Sequence, residues 1–99
     1  MKIQINIDSN TDESSRNQDY FVAQISESLK RYQSQISRVE VHIKNEGPEV
    51  KSCLIETRLE GVHPSAVINQ AATVEHAISG AILKAVSSLD STLGKLQNQ

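Results

Sequence analysis

Two neighbouring segments near the middle of the 99-residue chain alternate between polar and apolar side chains. The first, RVEVHIK, covers residues 38–44, and the second, KSCLIETRL, covers residues 51–59. Alternation with period two puts every second side chain on the same face of a β-strand. Gly47 and Pro48 lie between the two segments and are typical of a hairpin connection. The pattern therefore predicts two antiparallel strands, each with one buried face.

Two further segments have strand character. Residues 2–8, KIQINID, alternate in the same way and place three isoleucines on one face of a first strand. Residues 62–70, VHPSAVINQ, are interpreted as a fourth strand, and Pro64 suits its start or a sheet edge because proline lacks an amide donor. The pattern leaves open which face of this strand is buried.

Two segments have the spacing of amphipathic helices. The first begins near Ser15, which together with Gln18 fits a capping box. The second begins after Thr73, which is the expected capping residue, and continues to about residue 96 with Gly80 as a weak point. The predicted buried positions are Phe21, Val22, Ile25, Leu29, Tyr32 and Ile36 in the first helix and Val74, Ile78, Ala81, Ile82, Ala85, Leu89, Leu93 and Leu96 in the second.

The order of elements, β-α-β-β-β-α, places the chain in the α+β class. Three consecutive strands with short connections predict an antiparallel meander, and the two helices are expected to cover one face of the four-stranded sheet. Ninety-nine residues suffice for one core, so we expect residues 1–99 to form a single domain. The other sheet face would then be bare and would carry Leu54.

Composition and charge exclude several classes of protein. Ten Lys and Arg stand against twelve Asp and Glu, whereas nucleic-acid-binding modules are usually much more basic. The only cysteine, Cys53, is predicted to be a buried and inert thiol, in agreement with a reducing compartment. No apolar window approaches the length of a membrane span or a leader, so a soluble cytoplasmic protein without a membrane partner is expected.

Motifs of catalysis and cofactor binding are not found in the sequence. There is no glycine-rich phosphate loop, no obvious pair of carboxylates and no spaced Ser, His and Asp. His42, His63 and His76 match no short metal-ligand motif and are interpreted as surface residues. We therefore expect a protein that is not an enzyme, has no cofactor or metal and takes no small-molecule substrate.

The outward side chains of the central hairpin carry alternating charges. Arg38, Glu40 and Lys44 are expected to form cross-strand ion pairs with the outward residues of the next strand, which include Glu56 and Arg58. A competing interpretation is that this bare face meets a protein partner.

Four short motifs follow one another along the chain. They are RVEVHI at 38–43, CLIETRLEG at 53–61, NQAATVEHAISGAILK at 69–84 and LDSTLGKL at 89–96. Together they resemble the short, single-domain members of the ribosome hibernation-promoting factor family, also called ribosome-associated inhibitors or sigma-factor modulation proteins. The resemblance covers nearly the whole chain.

The resemblance implies a fold similar to double-stranded RNA binding domains and a role as a binder rather than an enzyme. It implies binding to rRNA of the small ribosomal subunit, in the channel used by mRNA and tRNA, and inhibition of translation under stress or in stationary phase. Lys84 and Lys95 match the basic row on the last helix of the family. Ser87, Ser88 and Ser91 stand where basic residues are common, and serines displace no counterions, so weaker and less salt-sensitive binding is expected.

Further cations extend this set if the two helices lie side by side. The candidate nucleic-acid-binding residues are Lys84, Lys95, Lys30, Arg31 and Arg38. The alternative, from another class, is a protein–protein interaction module of the same fold with weak or no rRNA binding, for example a homodimer formed through an exposed sheet face or edge. The acidic balance of the chain supports this alternative.

Overall fold

A four-stranded sheet forms the centre of the computed structural model, which describes residues 1–8, 18–61 and 63–97, the last four of these only as backbone. The strands lie side by side in chain order, with β1 parallel to β2 and the other neighbours antiparallel. They are β1 (Lys2–Ile7), β2 (Ile36–Gly47), β3 (Val50–Leu59) and β4 (Ser65–Ala71). The predicted α+β order and the antiparallel meander of β2, β3 and β4 are confirmed.

The first helix ends earlier than predicted. Helix α1 covers Gln18–Ser28 and is followed by a 3₁₀ helix, Lys30–Tyr32. The amide of Tyr32 donates to the carbonyl of Leu29 at 3.0 Å, an i to i−3 bond that tightens the chain before β2 begins. Ile36 is therefore buried as the first residue of β2 and not as part of a helical stripe. The predicted cap at Ser15 lies outside the described residues.

Both helices pack on the same face of the sheet. Helix α2 covers Val74–Gln97 and crosses β3 and β4, while α1 lies over β1. The side chain of Gln24 in α1 donates to Ser79 Oγ in α2 at 3.4 Å, which places the two helices side by side. The largest fully buried side chains are Phe21, Ile25, Leu29, Ile43, Ile55, Ile78 and Leu89.

Strand alternation decides which side chains enter this core. Val41 lies opposite Ile55 in β3 and opposite Ile5 in β1, and all three are buried. In β4, Val67 packs partly against the core whereas Ile68 is 54% exposed. The helix-covered face of β4 is therefore the one that carries Val67, a question that the sequence left open.

Helix α2 is fixed to β4 at its first turns. Thr73 Oγ1 accepts the amide of His76 at 3.1 Å, which confirms the predicted N-cap. Asn69 Nδ2 donates to the carbonyl oxygens of Ala77 at 3.2 Å and His76 at 3.4 Å. A Cβ atom built on Gly80 would lie 2.6 Å from Cγ of Asn69. Gly80 is therefore the position that lets β4 approach the helix this closely.

Candidate nucleic-acid interface

The exposed surface of α2 forms a shallow groove of about 500 Å³. Its walls are Leu83, Lys84, Ser87, Ser88, Ser91 and Thr92. Ser87 and Ser91 are exposed, because helical geometry directs these positions away from the sheet that buries Leu89. The groove thus offers several hydroxyl groups and one ammonium group to a ligand.

Lys84 lies on the flank of α2 that faces β4. Its Nζ donates to the carbonyl oxygen of Ile68 at 2.8 Å. Because β4 is an edge strand of the sheet that the described residues form, no strand of that sheet lies on its outer side to supply a donor. An ammonium group has three N–H donors, so Lys84 keeps two donors and its charge for a second partner.

Ser88 differs from the other two serines of the predicted row. Its hydroxyl and that of Ser65 in β4 are hydrogen-bonded at 2.7 Å, and Ser88 is only partly exposed. Ser88 therefore contributes to the contact between α2 and β4, while Ser87 and Ser91 remain open to a ligand.

Lys30 and Arg31 belong to the 3₁₀ helix that follows α1. This segment lies beside the flank of α2 that is opposite to Lys84. Nη2 of Arg31 forms an ion pair with Oδ1 of Asp90 at 2.5 Å, and the guanidinium lies 4.8 Å from the ring centroid of Tyr32. Asp90 is six residues after Lys84 and so points about 120° away around the helix. The positive charge of Arg31 is offset by this carboxylate, whereas Lys30 forms no ion pair with the part of the chain that the structure describes.

Arg38 and Lys95 complete the predicted set. Arg38 follows the alternation of β2 onto the face opposite the helices, where its guanidinium contacts Gln4 Oε1 at 2.5 Å and Glu40 Oε1 at 3.0 Å. The structure therefore does not bring Arg38 together with the other cations. Lys95 lies in α2 three turns after Lys84, in the segment whose side chains are outside the described part.

The predicted nucleic-acid-binding cations are thus divided among separate surfaces. Lys84 lies on one flank of α2, Arg31 is paired on the other flank, and Arg38 is on the far face of the sheet. Sequence reasoning missed Asp90 as the partner of Arg31. The available signal was its helical position, because Asp90 directly follows buried Leu89 on the side that α1 occupies.

The expected cross-strand ion pairs on the bare face are wrong. The register of β2 and β3 places Arg38 opposite Arg58 and Glu40 opposite Glu56, so like charges face each other. The ion pairs form along each strand instead, from Arg38 to Glu40 at 3.0 Å and from Arg58 to Glu56 at 3.1 Å. Opposite charges two residues apart on one strand compensate for the like-charged register.

Cys53, on the helix-covered face of β3, is fully buried, as predicted. Burial raises the pKa of its thiol to about 12, so the reactive thiolate is suppressed at neutral pH. Among the residues in the described ranges, no group of three or more His, Cys, Asp and Glu side chains could hold a metal ion. No helix in the same ranges is long and apolar enough to cross a membrane.

Comparisons with known proteins give a match at the level of fold. No protein-family model and no curated protein matches the chain. Among solved structures, the N-terminal domain of Protein Y from Thermus thermophilus superimposes with a TM-score of 0.76 and 21% sequence identity. The match covers 93% of this chain and 99% of that chain. At this identity the likeness shows that the two chains share a fold.

Proposed function

We propose that the chain is a ribosome-associated translation inhibitor of the hibernation type. In this role it binds rRNA of the small subunit in the channel used by mRNA and tRNA, under stress or in stationary phase. The observation that carries the proposal is the fold match, over 93% of the chain, to the N-terminal domain of Protein Y. That domain comes from the family that the four sequence motifs resemble, so fold and motifs support the same role.

We assign rRNA binding to the helix side of the protein. Lys30 and Lys84 supply positive charge there, and the exposed hydroxyl groups of Ser87 and Ser91 can donate to phosphate oxygens between them. Lys95 is proposed as a third cation from its position in the sequence alone, three helical turns after Lys84. Arg31 contributes its charge only when a phosphate displaces Asp90, and Arg38 is left out of this surface because it lies on the opposite face.

The small number of free cations sets the expected salt dependence. Each neutralised phosphate contributes about 0.9 to the logarithmic salt slope for a B-form duplex and about 0.7 for single strands. Three cations therefore predict a slope of about 2 to 3, which is shallow for an RNA-binding protein. Binding should then depend on shape complementarity to the channel and on hydroxyl donors as much as on charge.

Co-sedimentation with small ribosomal subunits tests this proposal. The purified chain is centrifuged with the subunits through sucrose at low and moderate salt, together with the variants Lys84→Glu and Lys44→Glu. Lys44 is the matched control, since it is an exposed lysine on the face opposite the helices. We expect the wild type and Lys44→Glu to move with the subunits and Lys84→Glu to lag behind. A wild-type chain that stays at the top of both gradients would refute ribosome binding.

A second candidate is a protein interaction module of the same fold with weak or no rRNA binding. It is favoured by the pairing of Arg31 with Asp90 and of Arg38 with Glu40, which reduces the free positive charge. The exposed Ile68 on the bare sheet face also favours it. The same gradients distinguish the two candidates, because a module of this kind does not sediment with the subunits at either salt concentration.

A further inference from the structure

The sheet face opposite the helices carries an ordered row of charges, which we call the open face row. Its members are the outward side chains of β2, namely Arg38, Glu40, His42, Lys44 and Glu46. The charges on the two sides of His42 have opposite signs. Glu40 and Lys44 are the nearer pair, and Arg38 and Glu46 are the farther pair. A surface whose charges reverse about its centre is complementary to itself after a half turn.

We propose that this face binds a second copy of the chain in a two-fold symmetric pair of sheets. The symmetry axis lies between the sheets and is perpendicular to the strands. It passes over the row of paired residues that contains His42, and each such row across the strands is called a level. Glu40 then faces Lys44 of the second copy, and Arg38 faces Glu46 of the second copy. The symmetry repeats both contacts, so the pair contains four new contacts between opposite charges.

The strand register disfavours a two-fold axis parallel to the strands. An axis parallel to the strands would place each level of the sheet against the same level of the second copy. Arg38 and Arg58 share one level, and Glu40 and Glu56 share the next. Cations would then meet cations and acids would meet acids, which disfavours that arrangement.

Lys44 and Glu46 are available for these contacts. Both side chains are exposed, and neither forms an ion pair with another residue of the described ranges. The carboxylate of Glu46 accepts hydrogen bonds from Ser52 Oγ at 3.3 Å and from Gln70 Nε2 at 2.9 Å. These bonds hold the carboxylate on the open face, where Arg38 of the second copy would supply the missing cation.

The centre of the proposed contact carries two apolar side chains, Leu54 and Ile68, beside His42. His42, Leu54 and Ile68 are adjacent at one level of β2, β3 and β4, beside a depression of about 370 Å³. Four strands about 4.8 Å apart, and about five residues along each strand, give a contact of roughly 19 by 17 Å. This is well below the approximately 800 Å² per partner of a standard interface, so the dimer is expected to be weak and salt-sensitive.

The proposal does not rest on ribosome binding, because it uses the opposite side of the protein. Lys44→Glu, which should weaken self-association, is the control variant that should keep binding to the ribosomal subunit. Loss of subunit binding by Lys84→Glu and loss of self-association by Lys44→Glu are therefore independent results.

Sedimentation equilibrium of the full chain over a wide concentration range tests the proposal. The wild type is compared with Glu40→Lys, Lys44→Glu and the double variant that carries both substitutions. Each single swap creates two contacts between like charges, so we expect the dimer to weaken by at least about tenfold. The double variant restores opposite charges at the same positions and should recover most of the wild-type affinity.

A second pair of variants locates the surface. Ile68→Glu places a charge at the centre of the open face and should abolish self-association. Leu83→Glu changes an even more exposed side chain, on α2, and should leave self-association intact. Circular dichroism of each variant confirms folding. The proposal is overturned by a wild type that is monomeric at every concentration, by a double variant no better than the single swaps, or by dissociation caused by Leu83→Glu.

Discussion

The contact between Asn69 and Gly80 makes the effect of Gly80→Ala depend on a side chain in another element. In the interior of a helix, alanine is more favourable than glycine by about 1 kcal/mol. Here the new methyl group overlaps the side chain of Asn69, whose Cγ would lie 2.6 Å from it. Asn69 must move and lose its hydrogen bonds to His76 and Ala77. At about 0.5 to 1.5 kcal/mol for each bond, this loss costs about 1 to 3 kcal/mol.

The two effects have opposite signs and give a quantitative expectation. In the wild-type chain, Gly80→Ala should lower the free energy of unfolding by up to about 2 kcal/mol. In an Asn69→Ala background there is no amide to displace, so the same substitution should raise it by about 1 kcal/mol. The predicted coupling free energy between the two positions is therefore about 1 to 3 kcal/mol.

Urea denaturation of the four proteins, followed by circular dichroism at 25 °C, measures this coupling. The slope of free energy against urea should be equal in all four, which shows that the substitutions act on the native contact. If Gly80→Ala stabilises both backgrounds by the same amount, the coupling is zero. The close approach of Asn69 to the helix would then not be a constraint on residue 80.

Two further predictions concern the buried thiol and the paired arginine. Cys53 should resist thiol reagents at mildly alkaline pH until the chain unfolds, and rapid labelling of the native protein would contradict this. Because the pKa of the thiol is raised from 9.0 to about 12 in the folded protein, the free energy of unfolding should decline as pH rises through that interval. Asp90→Asn should change the free energy of unfolding by less than about 1 kcal/mol, because its ion pair with Arg31 is exposed. The same substitution should tighten binding to small ribosomal subunits, because it releases Arg31. Unchanged or weaker binding in the sedimentation assay would show that Arg31 does not face rRNA.

The helices and strands were predictable because their apolar residues recur with the period of about 3.6 that is typical of helices and the period of two that is typical of strands. Alternation in β2 and β3 identifies Val41 and Ile55 as core residues without any knowledge of the fold. Ile36 was misassigned because a buried residue can satisfy a helical stripe and a strand face at the same time. Its assignment depends on where the 3₁₀ helix ends, which local spacing does not specify.

The candidate site was harder to predict from the sequence because its residues come from distant segments of the chain. The ion pair between Arg31 and Asp90 joins residues 59 positions apart, and it depends on how the end of α1 lies against α2. Strand alternation alone could have separated Arg38 from the helix-side cations, because Val39 beside it is buried under the helices. The like-charged register of Arg38 and Arg58 could not be inferred, since irregular pairing between Asn45 and Gly47 shifts the hairpin.

The hydrogen bond from Lys84 to Ile68 has a consequence for self-assembly of the sheet. A border strand with free backbone groups is a template on which another chain can add, and this is how fibrils begin to grow. The ammonium group covers one of those groups on β4 and so helps to limit the sheet to four strands. A ligand that draws the lysine away would uncover a docking position for an invading strand. Solutions of Lys84→Glu should consequently be more prone to form fibrils than the wild type.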